Sequence, residues 1–219
     1  SAGPTARATA KRSPWMRRRS RAEQAAPASD PAQRDSALAG VLGEADVMLR
    51  MLSTLLEISR AEAGGAATFQ RVDLAAMLGE IRELYAPVAE DAGATLELAL
   101  PAPPLDPFPV HRELLSQALA NLIDNALKYA PGTRIVLSLA RIPGGRVALA
   151  VADEGPGIVE SERAAALARF GRLDAARGQA GAGLGLALVD SVARLHGGLL
   201  DLGDNKPGLI ATIELPGDC

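Results

Sequence analysis

The stretch HRELLSQALANLIDNALKYA, residues 111–130, does most to decide the fold of this chain. One side of it carries a polar stripe, defined as Gln117, Asn121, Asn125 and Lys128, at spacings of four, four and three residues. Apolar residues fill the positions between them, so the pattern predicts one amphipathic helix over 111–129: Leu114, Leu115, Ala118, Leu119, Leu122, Ile123, Ala126 and Leu127. Asparagine disfavours helix interiors because its amide competes for backbone hydrogen bonds. The stripe therefore indicates a functional face, although a solvated polar face is the simpler interpretation of these residues alone.

The elements predicted on either side of this helix indicate a mixed fold. Asp73 can cap a helix over 73–92, and a Pro-Gly-Gly turn at 143–145 indicates a hairpin. The remaining predictions are a strand at 94–100, a Pro-rich connector at 101–109, hairpin strands at 134–142 and 146–152, a short helix near 160–169, a helix at 183–196, and strands at 199–202 and 209–215. Helices interleaved with mostly hairpin-paired strands predict an α+β two-layer sandwich.

Two glycine-rich segments follow the helix in the chain. DEGPGI, residues 153–158, comes directly after a predicted strand, where an Asp can accept a hydrogen bond and glycines permit close ligand approach. GAGLGL, residues 181–186, opens a predicted helix, whose free N–H groups suit a phosphate. The second segment fits neither a Walker loop nor a dinucleotide fingerprint, because the Gly-Lys-Ser/Thr and the third glycine are absent. Taken singly, each segment is also compatible with an ordinary tight turn.

The order and spacing of four segments are more specific than any one of them. NLIDNALKYAPG (121–132), DEGPGI (153–158), RFGRLDAAR (169–177) and GAGLGLALV (181–189) resemble the N, G1, F and G2 boxes of bacterial sensor histidine kinases. This resemblance to the ATP-binding domain covers about residues 70–216. Upstream, LRMLSTLLEISRAEAG (49–64) is similar to the second helix of the dimerisation and phosphotransfer domain of these kinases, and VDLAAMLGEIRELYAPVAEDAGATLEL (72–98) to the segment that joins the two domains.

The resemblance implies ATP and Mg²⁺ as cofactors, and it implies roles for individual residues. Asn125 would coordinate Mg²⁺, with Asn121 beside it in place of the Glu that activates water in ATP-hydrolysing relatives. Lys128 would contact phosphate, Tyr129 would lie on the adenine, and Asp153 would accept the adenine amino group. Phe170 would anchor the ATP lid, where Arg172 and Arg177 would supply cations. The glycine-rich positions would shape the adenine pocket (Gly155, Gly157 and Ile158) and wrap the phosphates (Gly181, Gly183, Leu184 and Gly185).

Composition limits the other possibilities. Aromatic residues make up 3% of the chain, which argues against a nucleic-acid stacking platform. A single cysteine, Cys219, and two histidines exclude a disulfide framework and argue against a multi-histidine metal site. Residues 1–34 are basic, which suggests a solvated tail, although such an arm can also bind nucleic acid or an anionic membrane. No apolar run is long enough to predict a membrane span.

These patterns suggest three parts: a basic tail (1–13), a partial dimerisation and phosphotransfer hairpin (14–66), and an ATP-binding catalytic domain (70–219). A long amphipathic helix over 33–63 cannot bury its apolar stripe alone, which predicts a homodimer through that helix. The resemblance implies a response-regulator receiver domain as partner. We expect no nucleic-acid partner and a cytoplasmic location, with attachment to a membrane-anchored kinase left open.

One part of the family pattern is missing. The first phosphotransfer helix should carry an H-box with the acceptor histidine, but TAKRSPW stands at that place and no histidine precedes His111. We therefore expect a histidine kinase core that does not autophosphorylate. A capping or surface role is expected for His111 and a structural role for His196. The alternatives are a non-catalytic ATP-binding regulatory module and an anti-sigma-type serine kinase on the same fold.

Overall fold

A computed structural model describes residues 69–167 and 185–217 of the chain. Within these ranges the order of elements is β1 (Gln70–Val72), α1 (Leu74–Asp91), β2 (Thr95–Ala99), β3 (Phe108–Val110), α2 (Arg112–Tyr129), β4 (Arg134–Ile142), β5 (Arg146–Ala152), α3 (Glu160–Leu167), α4 (Gly185–Leu195), β6 (Leu199–Asp204) and β7 (Leu209–Leu215). The predicted tail, the helix over 33–63 and the lid segment lie outside the described residues. None of the described helices is both long enough and apolar enough to cross a bilayer.

The main sheet has five strands in the order β2-β4-β5-β7-β6. Strands β2 and β4 are parallel, since the chain passes through β3 and α2 between them, and the other neighbours are antiparallel. Along β4 and β7 the buried side chains alternate with more exposed ones, as expected when one sheet face is covered. Helices packed on that face complete the predicted two-layer α+β sandwich.

Local signals in the sequence account for the main helices. Asp73 caps α1, where its Oδ1 accepts a hydrogen bond from the Ala76 N–H at 3.0 Å. The apolar face of α2 is buried: Leu114, Leu115, Ala118, Leu119, Leu122, Ile123 and Ala126 are each at most 3% exposed. The predicted stripe on its other side is half-buried throughout. The helix, its bounds and its two faces are therefore confirmed.

A second, two-stranded sheet was not predicted. Strand β1 pairs antiparallel with β3, which lies partly in the segment interpreted as a Pro-rich connector. Each strand has only three residues, which is too short for an alternating pattern, and β3 contains Pro109, which cannot donate to a ladder. The connector prediction for 101–109 was therefore wrong at its end.

Candidate nucleotide site

The polar stripe of α2 meets the start of α4. A Cβ at Gly185, the first residue of α4, would lie 3.5 Å from Asn125 Nδ2 and 3.7 Å from its Oδ1. Any longer side chain at position 185 would therefore occupy the space beside this amide. The first turn of a helix presents free N–H groups and the positive end of its dipole. This arrangement places a neutral oxygen ligand next to a helix N-terminus, a combination suited to a metal-bound phosphate.

Asp153 follows β5 directly, and one of its carboxylate oxygens accepts backbone hydrogen bonds. Its Oδ1 accepts hydrogen bonds from the N–H groups of Gly155, at 2.8 Å, and Leu209, at 3.3 Å. Its own N–H donates to the Leu209 carbonyl at 2.9 Å. Asp153 is only 8% exposed, and both of these bonds to its side chain end on Oδ1. A carboxylate fixed in this way can accept a hydrogen bond from an amino group of a ligand.

The loop after Asp153 packs on the end of α2, so the two candidate regions are neighbours. A Cβ at Gly155 would come within 2.7 Å of the Ala130 Cβ, which explains why glycine is needed there. Tyr129, the last residue of α2, is 40% exposed, and the Lys128 Nζ lies 4.9 Å from the centroid of its ring. Half-buried Ile158 packs against the core behind the loop. The structure thus brings together the residues predicted to receive adenine.

Sequence reasoning missed the segment that supports this loop from behind. Asn205 donates from Nδ2 to the Asp153 carbonyl at 2.8 Å, and a Cβ at Gly157 would lie 2.9 Å from the Gly208 carbonyl oxygen. Arg163 joins the Ile158 carbonyl, at 3.2 Å from Nε, to the Asp204 carboxylate. The only available signal was the turn composition of Asn-Lys-Pro-Gly, which says nothing about a contact 52 residues away.

Gly208 offers a direct test of this support. At φ +111° its Cβ would lie 1.8 Å from the Asp153 carbonyl oxygen, so we expect Gly208→Ala to lower the free energy of unfolding by about 2 to 4 kcal/mol. The matched control is Gly144→Ala, at φ +84° with no atom within 4 Å, which carries only the backbone penalty of about 1 kcal/mol. Urea denaturation measures both, and equal losses would contradict the close packing of the two segments.

Six predicted site residues lie outside the described residues: Phe170, Arg172, Arg177, Gly181, Gly183 and Leu184. Asn121, one turn before Asn125, is half-buried on the same stripe. The described part of the site therefore comprises Asn121, Asn125 and Lys128 of the polar stripe, the first residue of α4 and the loop after Asp153. The roles of the individual residues toward a ligand stay predictions.

Both histidines have structural surroundings. His111 is the N-cap of α2, where its Nδ1 accepts from the Leu114 N–H at 3.5 Å and lies 3.3 Å from Glu113 Oε2. His196 is 8% exposed, and burial lowers its pKa, against an opposing contribution from the Val192 carbonyl. A buried imidazole with a lowered pKa is neutral at pH 7. Of the two roles expected for His111, capping is confirmed, and the burial and hydrogen bonds of His196 agree with its expected structural role.

Comparison with known proteins agrees with the family resemblance of the sequence motifs. Residues 110–218 match the family described as histidine kinase-, DNA gyrase B-, and HSP90-like ATPase. The signal transduction histidine-protein kinase/phosphatase MprB of Mycobacterium sp. (strain KMS) is 33% identical over 187 residues, which cover 82% of this chain. The chain spans only 35% of the length of that relative.

Two solved structures extend the comparison. The mycobacterial sensor histidine kinase MprB is 32% identical, with a TM-score of 0.57, and the match covers 68% of this chain and 98% of that one. Full-length ShkA, solved in complex with AMPPNP, is 30% identical, with a TM-score of 0.66, over 84% of this chain and 39% of the other. The chain therefore belongs to the sensor histidine kinases, and its described residues form the ATP-binding catalytic domain of that family.

Proposed function

We propose that this chain binds ATP with Mg²⁺ and donates the γ-phosphate to a histidine of a dimerisation hairpin, from which it passes to an Asp of a response-regulator receiver domain. One observation carries the proposal: Asn125 of α2 lies beside Gly185 at the start of α4, and the loop that follows the Asp153 carboxylate packs on Ala130, just after the end of α2. An acceptor for an amino group and a place for charged phosphates are thus combined in one site.

The donor chemistry of these residues fits Mg²⁺·ATP. The Asn125 amide oxygen is a hard, neutral ligand, and the missing side chain at Gly185 leaves room beside it. Mg²⁺, when bound, would neutralise charge on the phosphates. Asn125 would hold the metal, Lys128 would approach the phosphates, and Asp153 would orient the base against Tyr129 while Gly155, Gly157 and Ile158 shape its pocket. Positioning and charge stabilisation account for most of the catalysis in phosphoryl transfer.

The remaining residues complete the proposal outside the described part of the chain. Phe170 would anchor the lid, Arg172 and Arg177 would neutralise the transferred phosphate, and Gly181, Gly183 and Leu184 would wrap it together with Gly185. Asn121 stands where ATP-hydrolysing relatives carry a catalytic Glu. An amide cannot remove a proton from water, so this position favours transfer to a protein acceptor over hydrolysis.

Partners follow from the family rather than from contacts in the structure. We infer a homodimer through the helix predicted over 33–63, a response-regulator receiver domain as the final phosphate acceptor, and action in the cytoplasm, where ATP is available. The relatives named above are described as sensor or signal transduction histidine kinases, which supports a two-component partner.

A transfer assay tests the proposal. Because the given chain has no H-box histidine and both His111 and His196 have structural surroundings, we expect no label on the chain after incubation with γ-labelled ATP and Mg²⁺. A separately produced helical hairpin carrying an H-box should become labelled with the acid-labile, base-stable phosphoramidate. The same hairpin with its acceptor histidine replaced by Gln is the control.

Each other outcome has a distinct meaning. Acid-labile label on the 219-residue chain itself would contradict the absence of an acceptor. Nucleotide binding without transfer to the hairpin would favour a non-catalytic regulatory module. Acid-stable phosphoserine on a partner would favour the serine kinase alternative.

A further inference from the structure

One buried imidazole connects three separate parts of the catalytic domain. The His196 Nδ1 lies 2.8 Å from the Val192 carbonyl, in the last turn of α4. Its Nε2 accepts a hydrogen bond from the backbone N–H of His111, the N-cap of α2, at 3.0 Å. The Phe69 ring, just before β1, packs edge-on against the imidazole with centroids 5.0 Å apart. This residue has no part in the proposed chemistry.

These contacts determine the protonation state of His196. Because the His111 N–H donates to Nε2, the single proton of the neutral ring must lie on Nδ1, where it donates to the Val192 carbonyl. A second proton on Nε2 would face the His111 N–H, donor against donor. The ionisable groups nearby are the His111 imidazole and, beyond it, Glu113 on α2, while Asp190 and Arg194 on α4 pair with each other at 2.8 Å.

The hydrogen bond between His111 and His196 lies at the opposite end of α2 from the candidate nucleotide site. Helices α2 and α4 pack antiparallel, since His196, just after the end of α4, bonds to the start of α2, while Gly185 at the start of α4 lies beside Asn125 near the end of α2. At 1.5 Å per residue, the roughly 14 residues from His111 to Asn125 span about 21 Å. A rigid helix held at one end transmits any sliding to the other.

We propose that His196 is a positioning residue for the nucleotide site: its hydrogen bond to the His111 N–H sets the register of α2 against α4 and so places Asn125 opposite the first turn of α4. This inference rests on the proposed function, because it concerns the placement of the residue that would hold Mg²⁺. It assigns His196 no contact with the nucleotide. Loss of the bond should therefore disturb phosphate and metal binding while leaving adenine recognition by Asp153 nearly unchanged.

Two substitutions of His196 separate its two hydrogen bonds. Asparagine reaches the place of Nδ1 and can still donate to the Val192 carbonyl, but it offers no acceptor to His111. Glutamine reaches the place of Nε2 and can accept from the His111 N–H. We expect His196→Asn to weaken Mg²⁺·ATP binding by about tenfold or more, because the half-buried His111 N–H loses its partner and the register of the two helices is no longer held. His196→Gln should stay within about threefold of the unchanged chain, and adenosine should bind all three about equally.

A second pair of variants deletes the same bond from the other side. His111→Ala removes the side-chain cap and keeps the backbone N–H, whereas His111→Pro removes both. The backbone at 111 has φ −83° after an extended residue, which is compatible with proline. We expect His111→Pro to reproduce the loss in His196→Asn and His111→Ala to bind Mg²⁺·ATP nearly normally. This pair remains informative if His196→Asn does not fold.

Titration supplies a readout that does not depend on nucleotide. Because the pKa of His196 is lowered in the folded state, its contribution to stability is complete above the ordinary histidine value, near 6.5, and is lost as pH falls below it. The chain should therefore lose stability below about pH 6.5, and His196→Gln should lose this pH dependence. Nitrogen NMR of the imidazole should show a protonated Nδ1 and an acceptor Nε2.

Calorimetric titration of the unchanged chain and the variants distinguishes failure of the proposed function from failure of the positioning role. If the unchanged chain fails to bind Mg²⁺·ATP in a calorimetric titration, the proposed function is wrong, whatever the NMR spectrum shows. If it binds, and both His196→Asn and His111→Pro bind equally tightly, the positioning role is overturned. Parallel losses of Mg²⁺·ATP and adenosine affinity would also overturn it, because they indicate a general loss of structure.

Discussion

Replacing Asn125 by alanine should reduce phosphoryl transfer to an added H-box hairpin by at least about 100-fold, the scale expected when a preorganised polar group is lost from a reacting centre. The amide lies beside the first turn of α4, the most suitable place among the described residues for a metal-bound phosphate. Removal of its oxygen leaves the metal without its proposed ligand from α2. Affinity for Mg²⁺·ATP should fall with the rate, whereas affinity for adenosine should not.

The folded state should tolerate this change. Alanine is the best helix former, and Asn125 is only half-buried, so the melting temperature should stay the same or rise. Gln117→Ala is the matched control, since it removes an amide from the same stripe two turns earlier, away from Gly185. Loss of transfer in Asn125→Ala but not in Gln117→Ala supports the metal site. Equal activity of Asn125→Ala and the unchanged chain would remove this residue from the mechanism.

Replacing Asp153 by asparagine should weaken ATP binding by about 100-fold and shift base preference. The side-chain oxygen of the introduced asparagine can still accept from the Gly155 and Leu209 N–H groups, so the loop should keep its shape. The new side-chain amino group then occupies the place of Oδ2, where it meets the amino group of adenine, donor against donor. Guanine carries a carbonyl oxygen at the corresponding ring position and should be bound better than before.

Competition between ATP and GTP measures this change. The preference for ATP should fall in Asp153→Asn relative to the unchanged chain. Asp201→Asn is a matched control, because it removes the same charge from an exposed position on β6. An unaltered ATP affinity and base preference in Asp153→Asn would show that this carboxylate does not read the base.

Local patterns made much of this architecture predictable. The bounds of α2 and of the β4–β5 hairpin match the predictions closely, because a long apolar period and a Pro-Gly-Gly turn act within a few residues. Asp73 was predicted as a cap, and His111 as a cap or a surface residue, for the same reason: a cap bonds an N–H three residues away. The short strands β1 and β3 carry no such local signal, and only their mutual pairing defines them.

The residues of the candidate site show the same difference between local signals and long-range contacts. Asn125, Asp153 and the glycines near them could be predicted from the sequence because each belongs to a short motif with a fixed spacing. Asn205 and Gly208, which support the Asp153 loop, were missed because their contacts span more than 50 residues. The same holds for the bond between His196 and His111, which joins residues 85 apart.

The sequence by itself determined the helices and the strands of the main sheet, the buried face of α2, and which family the boxes resemble. Periodicity, caps and turn residues operate over one or two turns of chain, so they can be read in order along it. Only the tertiary structure decided which oxygen of Asp153 accepts the Gly155 and Leu209 N–H groups, what supports its loop, and which group bonds to the His111 N–H at the start of α2. Those properties depend on atoms brought together by packing, and no local pattern encodes them.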